Sequence, residues 1–172
     1  VVGAGPAGIA AARAASRKGL RVTLVDQQSE VGGCLLWREA EIDGVAGGAW
    51  AADAVGELRH DPGVRVLTRT TAIGAFDHGH LVLLERDPPT PAIPAGVAPY
   101  RLWKLRARRV VLASGALDRP LVFPDNDRPG VMSAAAVTEY LRRYAVRPGE
   151  RAVVFTNNDS AYDCAHALVA AG

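Results

Sequence analysis

The sequence predicts an α/β fold built around a parallel sheet. Three observations lead to this prediction: a glycine-rich turn follows the first apolar residues, helical and strand-like segments then alternate, and a second strand–turn–helix pattern comes late in the chain. A chain of 172 residues can form one domain and part of another. We therefore predict a first domain at residues 1–118, a connection at 119–132 and the start of a second domain at 133–172.

The first βαβ unit follows from apolar and glycine spacing. Val1 and Val2 predict the end of a strand, residues 9–18 predict a helix that Gly19 ends, and residues 20–25 predict the next strand. A buried strand usually has about four to eight residues, whereas two precede the first glycine here. Because the sequence also stops where a helix would lead into a strand, we expect it to be a piece of a longer protein.

The middle of the chain predicts one helix and then mostly strands. Trp50, Val55 and Leu58 lie on one face of a helix at residues 49–59, which an Asp-Pro-Gly turn ends. Residues 88–99 contain five prolines and predict an exposed loop. The remaining segments predict a strand, a three-stranded β-meander and a buried closing strand, at residues 64–67, then 71–76, 80–86 and 100–106, and finally 109–114.

Composition limits the classes of partner. Hydrophobic residues make up 49% of the chain and charged residues 22%, which is typical of a globular protein. The net charge is +2 and there is no long basic run, so we expect neither nucleic acid nor a membrane as partner. Residues 1–10 lack the features of a secretory signal, and Cys34 and Cys164 predict neither a disulfide framework nor a metal cluster. These features favour a cytoplasmic location.

The turn after the first strand has the pattern G-x-G-x-x-G. In it, Gly3 allows a tight turn, Gly5 lets the backbone approach a pyrophosphate, and Gly8 lets the helix pack closely on the strand. The phosphates would bind free N–H groups at the helix N-terminus, where the helix dipole favours negative charge. The pattern predicts a Rossmann-like FAD/NAD(P)-binding fold in which the backbone of this turn, Pro6 and Ala7 included, holds a dinucleotide.

Asp26 ends the second strand, roughly twenty residues after the glycines, where the ribose partner is expected. Its carboxylate would accept hydrogen bonds from an adenosine ribose, with Gln27 beside it in the same loop. A carboxylate at this place repels a 2′-phosphate, so NAD or FAD is favoured over NADP. A surface carboxylate without a ligand is the alternative interpretation.

Two further motifs resemble those of the two-dinucleotide-binding flavoprotein superfamily. The sequence E-x-G-G ends at Gly33, and "RRVVLASGA" is similar to the superfamily's A-T-G motif, with serine where threonine is usual. The resemblance implies that the chain runs beside the cofactor diphosphate after the double glycine, that a buried strand ends against the nucleotide, and that one strand residue contacts the adenine through its backbone. The residues implied are Gly33, Cys34 and Leu35, Ser114 and Gly115, and Ala72.

Longer segments resemble the α subunits of heterotetrameric sarcosine oxidases and of related amine and opine oxidases. They are "LWREAEIDGVAGGAW", "ASGALDRPLVFPDNDRPGVM" and "RAVVFTNNDSAY", and the similarity covers nearly the whole chain. It implies NAD⁺ in this chain, FAD and the sarcosine site in a β subunit, FMN near the α–β interface and γ and δ subunits as further partners. The implied reaction converts sarcosine to glycine with H2O2 and formaldehyde or 5,10-methylenetetrahydrofolate, with no catalytic residue in this chain.

The late strand–turn–helix pattern predicts a second, inserted nucleotide-binding-like domain whose site is degenerate. Residues 152–155 predict a buried strand and residues 161–171 a helix, but Thr156, Asn157, Asn158 and Asp159 replace the glycines between them. Such a turn keeps a pyrophosphate at a distance, and its carboxylate repels an anion. We expect Asn157 and Asn158 to form a polar turn and helix cap instead.

The remaining reactive side chains predict no chemistry. The residues around Cys34 contain no C-x-x-C, so we expect a small packed side chain and not a redox disulfide. The four histidines lack metal-ligand spacing, and His78 and His80 predict a hairpin turn. Two other functions stay open: an FAD-dependent oxidoreductase of the same superfamily that NAD(P)H reduces, and a nucleotide-holding scaffold without turnover.

Overall fold

A computed structural model describes residues 1–86 and 99–172, which form two units. Unit 1 comprises Val1–Leu35 and Ala40–Gly115, and unit 2 comprises Leu36–Glu39 and Ala116–Gly172. The proline-rich loop predicted at residues 88–99 lies outside the described residues except for Pro99. In the described part of the chain, no helix has the length and apolar character that crossing a bilayer requires.

Unit 1 alternates helices and strands as predicted. Its helices are α1 (Pro6–Ser16) and α2 (Gly47–His60), and 3-10 turns occur at Gly33–Leu36 and Asp77–Gly79. The strands are β1 (Val22–Val25), β2 (Glu41–Ile42), β3 (Val45–Ala46), β4 (Val64–Leu67), β5 (Thr70–Phe76), β6 (His80–Arg86) and β7 (Tyr100–Arg106). Helix α1 begins earlier than predicted because Pro6 suits the first helical position.

The parallel sheet predicted from the alternation is confirmed. Strand β1 pairs with β4 in parallel from Val22 opposite Val64 to Val25 opposite Leu67. On the other side of β1, Val2 forms parallel bridges to both Val25 and Leu112. Helices α1 and α2 pack against this sheet through buried apolar side chains that include Ile9, Leu24, Val55 and Leu58. The chain therefore leaves Val2, β1 and β4 at the same edge of the sheet, the carboxyl edge of the parallel strands.

The β-meander is also confirmed. Strands β5, β6 and β7 form an antiparallel sheet in that order, with a bulge between Ala72 and Gly74. One face packs through Leu81 and Leu83 against Val25 of the parallel sheet. Glu85 is buried on the same face, where its carboxylate accepts a hydrogen bond from the Trp103 indole N–H at 2.8 Å.

Two predicted buried strands are wrong. In residues 109–114 Leu112 alone forms a strand bridge and is 75% exposed, and in residues 152–155 no strand forms and Val153 is 97% exposed. A buried parallel strand needs neighbouring strands and a cover on both faces. Among the described residues, Val2 is the one bridge partner of residues 109–114, and residues 152–155 have none.

Unit 2 contains the helices α3 (Ala134–Tyr144) and α4 (Ser160–Ala170), which pack against each other. The Ser133 hydroxyl accepts a hydrogen bond from the Ala136 amide at 3.2 Å and so caps the N-terminus of α3. Arg142 of α3 forms an ion pair with Glu39 at 3.2 Å, so the short segment Leu36–Glu39 is held within this unit.

Candidate functional site

The glycine-rich turn lies at the carboxyl edge of the parallel sheet. The Gly3 amide donates to the Val25 carbonyl at 2.8 Å, and its φ of +98° lies in the region that favours glycine. A Cβ on Gly3 would lie 2.2 Å from the carbonyl oxygen of Ala113 and 3.1 Å from the amide nitrogen of Ser114. The backbone before Ser114 therefore touches the turn, and the Ser114 side chain is exposed. The contact of this segment with the nucleotide, which the resemblance implies, stays a prediction.

Helix α1 starts with backbone N–H groups that have no hydrogen-bond partner within the described part of the chain. Gly5 is the N-cap residue and supplies no side-chain cap, and Pro6 has no N–H. Among the described residues, no acceptor takes the amide hydrogens of Gly5, Ala7 or Gly8. The first amides of a helix carry partial positive charge, so this terminus can bind an anion such as a phosphate.

Gly5 lies beside open space. Its chain neighbours apart, the described residues place one heavy atom within 4 Å of a Cβ added there, the Cα of Gly33 at 3.9 Å, and the Gly5 φ of −75° suits any residue. The fold therefore does not require glycine at this position. Close approach of a ligand to the backbone would require it.

The second glycine turn packs directly on the first. The Gly32 amide donates to the Ala4 carbonyl at 2.8 Å, and a Cβ on Gly33 would lie 2.8 Å from the Cα of Gly5. The 3-10 turn that follows places Leu35 in the hydrophobic core and leaves Cys34 half-buried. Residues 3–8 and 33–35 thus form one backbone surface at the start of α1.

Asp26 connects the end of β1 to the glycine-rich turn. One carboxylate oxygen accepts the Ala4 amide at 2.6 Å, and the other accepts the Gln28 amide at 2.8 Å. Each oxygen keeps further acceptor capacity for a ligand hydroxyl. Neither hydrogen bond was predicted from the sequence. The predicted neighbour of Asp26 in the site, Gln27, is exposed.

Ala72 and Gly115 lie at the borders of this region. Ala72 is half-buried on β5, which is the edge strand of its sheet, and it packs against the cluster of Val25, Leu81 and Leu83. Gly115, with a φ of +78°, ends unit 1 directly after Ser114. Nothing in these contacts assigns a ligand to either residue, so their roles stay predictions.

The late turn in unit 2 is satisfied by its own side chains. The Asn158 side-chain carbonyl accepts the Ser160 amide at 3.0 Å, and the Thr156 hydroxyl accepts the Asn158 amide at 3.1 Å. The predicted polar turn is therefore confirmed, whereas the predicted cap is not: the N-cap residue of α4 is Asp159, which makes no side-chain cap hydrogen bond, and Asn158 binds the Ser160 amide from one position earlier.

The other reactive side chains lie apart. Cys34 and Cys164 are both free thiols. Within residues 1–86 and 99–172, no three His, Cys, Asp or Glu side chains are grouped as a metal site requires. His78 lies in a 3-10 turn with a φ of +59°, as expected for the predicted hairpin turn.

Comparison with known proteins agrees with this geometry. A family model described as pyridine nucleotide-disulphide oxidoreductase matches residues 1–172. The chain belongs to this family. Membership identifies an oxidoreductase domain of the dinucleotide-binding type and implies a dinucleotide cofactor, which agrees with the glycine-rich turn and Asp26.

Individual relatives show a more specific resemblance than the family model. The chain is 50% identical to sarcosine oxidase subunit alpha of Rhizobium meliloti (strain 1021) and 48% identical to that of Corynebacterium sp. (strain P-1). Each match covers 100% of this chain and 18% of the relative, so the chain spans under a fifth of the length of these subunits. The predicted resemblance to sarcosine oxidase α subunits is confirmed.

A solved structure supports the fold. The chain is similar to L-proline dehydrogenase from P. horikoshii with a TM-score of 0.69 and 29% identity, over 86% of this chain and 28% of that one. The predicted α/β dinucleotide-binding fold is confirmed.

The open space at Gly5 gives a direct test of the site. We expect Gly5→Ala to fold normally, because the described residues, its chain neighbours apart, place no atom closer than 3.9 Å to the new methyl group. We also expect this variant to lower nucleotide content at least about tenfold, since its methyl group occupies the space where the ligand would contact the protein backbone. Nucleotide released per purified chain, measured beside the thermal unfolding midpoint, checks both parts. Wild-type nucleotide content in this variant would contradict the assignment.

Proposed function

We propose that unit 1 holds NAD⁺, with its diphosphate on the glycine-rich turn and its adenosine ribose on Asp26. The observation that carries this proposal is that, among residues 1–86 and 99–172, the amides at the start of α1 have no acceptor and the space beside Gly5 is open. A diphosphate fits both features, because its oxygens can accept hydrogen bonds from these amides and it can lie directly against the backbone of Gly5. The diphosphate-binding backbone extends to Gly33, Cys34 and Leu35, and Ser114 and Gly115 border it.

The charge of Asp26 favours NAD⁺ over NADP⁺. Its carboxylate lies half-buried at the sheet edge and is oriented by two backbone amides. A 2′-phosphate would meet this negative charge, whereas two ribose hydroxyls can donate to it. Ala72 would approach the adenine through its backbone at the free edge of β5.

We infer one nucleotide in this chain. In the turn of unit 2, side-chain acceptors already bind the backbone amides of the turn and of the first helical residue. Asp159 adds a negative charge beside this turn. The residues of unit 1 would bind and orient NAD⁺, whose nicotinamide can accept a hydride, while the hydride of the substrate would be taken elsewhere in the assembly. We assign no catalytic residue to this chain, whose role would be to hold the nucleotide.

We further propose that the chain is the nucleotide-binding region of the α subunit of a sarcosine oxidase. The support is identity of 45–50% to three such subunits over the whole chain. The full assembly would oxidise sarcosine to glycine with H2O2 and formaldehyde or 5,10-methylenetetrahydrofolate, using FAD and FMN held elsewhere and β, γ and δ subunits as partners. A cytoplasmic location agrees with the two free thiols.

The substrate assignment has its own test. The full-length polypeptide is purified with its co-expressed partner subunits, and H2O2 formation is followed with sarcosine and with other secondary amines. We expect sarcosine to give the highest kcat/KM. Turnover of a different amine or an opine without turnover of sarcosine would contradict the assignment and would place the chain with the related oxidases.

FAD is the alternative nucleotide, because NAD⁺ and FAD share the ADP half that this site would contact. A self-contained flavoenzyme would also need a pyridine nucleotide site to reduce its flavin. The turn at Asn158, whose side chain already binds the Ser160 amide, disfavours such a site in unit 2. A flavin absorption band in the isolated polypeptide that NADH bleaches would support this alternative.

A further inference from the structure

The β5–β6–β7 sheet has a face that the core of unit 1 does not use. Strand register places Val82 opposite Lys104 and Leu84 opposite Leu102, and Phe76 and Arg106 both lie opposite His80. Alternate residues of a strand point to opposite faces, so these side chains lie away from Leu81 and Leu83. We name this the outer face, formed by Phe76, Val82, Leu84, Leu102, Lys104 and Arg106.

The centre of the outer face is apolar and accessible. Phe76 is 61% exposed and Leu102 is 56% exposed, while Val82 and Leu84 on the central strand are half-buried. Neighbouring apolar side chains exposed on one surface are typical of interaction sites. Burying them against a partner would be favourable because it removes apolar area from water.

The border of the outer face is positively charged. Lys104 and Arg106 alternate with apolar residues along β7 and are exposed, and Arg108 and Arg109 follow them. The one carboxylate on the described strands β5 to β7 is Glu85, which lies on the opposite, buried face. In the described part of the chain, no carboxylate forms an ion pair with Lys104 or Arg106.

We propose that the outer face docks another polypeptide whose contact surface is apolar at its centre and bordered by aspartate or glutamate carboxylates. Charge complementarity selects this occupant, since a second copy of the chain would bring the same cations against each other. A nucleic acid would leave Val82, Leu84 and Leu102 without an apolar counterpart. The inference rests on the proposed function, in that the occupant is a partner subunit of a multi-subunit oxidase.

Charge reversal on the outer face tests this inference. The full-length polypeptide is co-expressed with its partner subunits in three forms: Lys104→Glu with Arg106→Glu, Leu102→Asp, and the control Lys18→Glu with Arg21→Glu, whose cations are also exposed on unit 1. We expect subunit association, measured by sedimentation, to weaken on the order of 100-fold in the first two forms and to stay unchanged in the control. Nucleotide content and the unfolding midpoint should match the wild type in all three.

Each other outcome overturns the inference. Unchanged association in the outer-face variants would show that partner subunits bind elsewhere. A lower unfolding midpoint of the isolated polypeptide, with unchanged association, would show that later parts of the same chain cover the face. Loss of a wild-type homodimer would identify a second copy as the occupant. Nucleotide analysis of the same samples is independent, so a failure of the NAD⁺ proposal would be visible separately.

Discussion

Replacing Gly8 with alanine is expected to prevent unit 1 from folding. The added Cβ would lie 1.8 Å from the carbonyl oxygen of Gly3 and 3.4 Å from the Cβ of Ala113. Gly3 cannot move away, because it is itself held between Val25 and Ala113. Overpacking costs about 1–3 kcal/mol where neighbours can relax, and a contact between backbone atoms of a fixed turn costs more. The soluble yield and the far-UV circular dichroism of the full-length variant check the prediction.

The helix glycine Gly56 provides the matched control. It lies within α2, where no described atom outside its neighbours and the backbone of the helix lies within 4 Å of an added Cβ. Gly56→Ala is expected to raise the free energy of unfolding by about 1 kcal/mol, because alanine favours helix. A Gly8→Ala variant as stable as Gly56→Ala would contradict the close packing of the glycine-rich turn on the sheet.

Replacing Asp26 with alanine is expected to remove most of the bound nucleotide. The variant loses the ribose acceptor, and it leaves the buried Ala4 amide without the partner that orients the turn. An unsatisfied buried amide costs about 1–3 kcal/mol, so we also expect a lower unfolding midpoint. Asp26→Asn keeps one acceptor oxygen and should retain more nucleotide and stability than Asp26→Ala.

Nucleotide released per chain and the unfolding midpoint, with and without added NAD⁺, separate the two effects. The control is Asp53→Asn, which removes an exposed carboxylate of α2 outside the site. It should leave both quantities unchanged. Full nucleotide content in Asp26→Ala would contradict the ribose role, even if the variant were less stable.

Glycine spacing made the parallel sheet and the first turn predictable. Backbone contacts within the fold require glycine at Gly3 and Gly8, and this requirement is visible as glycine spacing in the sequence. Apolar alternation made the β-meander predictable, since one face of β6 is buried. The cap at Ser133 follows a local rule in the same way.

Features that depend on neighbours from other parts of the chain were not predictable. Residues 109–114 and 152–155 have the apolar runs of buried strands, but burial requires strands beside them and covers on both faces. The link from the Asp26 carboxylate to the Ala4 amide depends on side-chain orientation, which spacing does not encode. The hairpin of β2 and β3 was missed although Asp43-Gly44, both with positive φ, gives the signal for its turn.

The most direct test of the account is the identity of the nucleotide that the full-length polypeptide releases on denaturation. We expect one NAD⁺ per chain, colourless and lowered at least about tenfold in the Gly5→Ala variant, with the flavins of the assembly held elsewhere. Release of FAD from this site, recognised by its visible absorption and lost in the same variant, would contradict the NAD⁺ assignment. A nucleotide content that Gly5→Ala leaves unchanged would contradict the site itself.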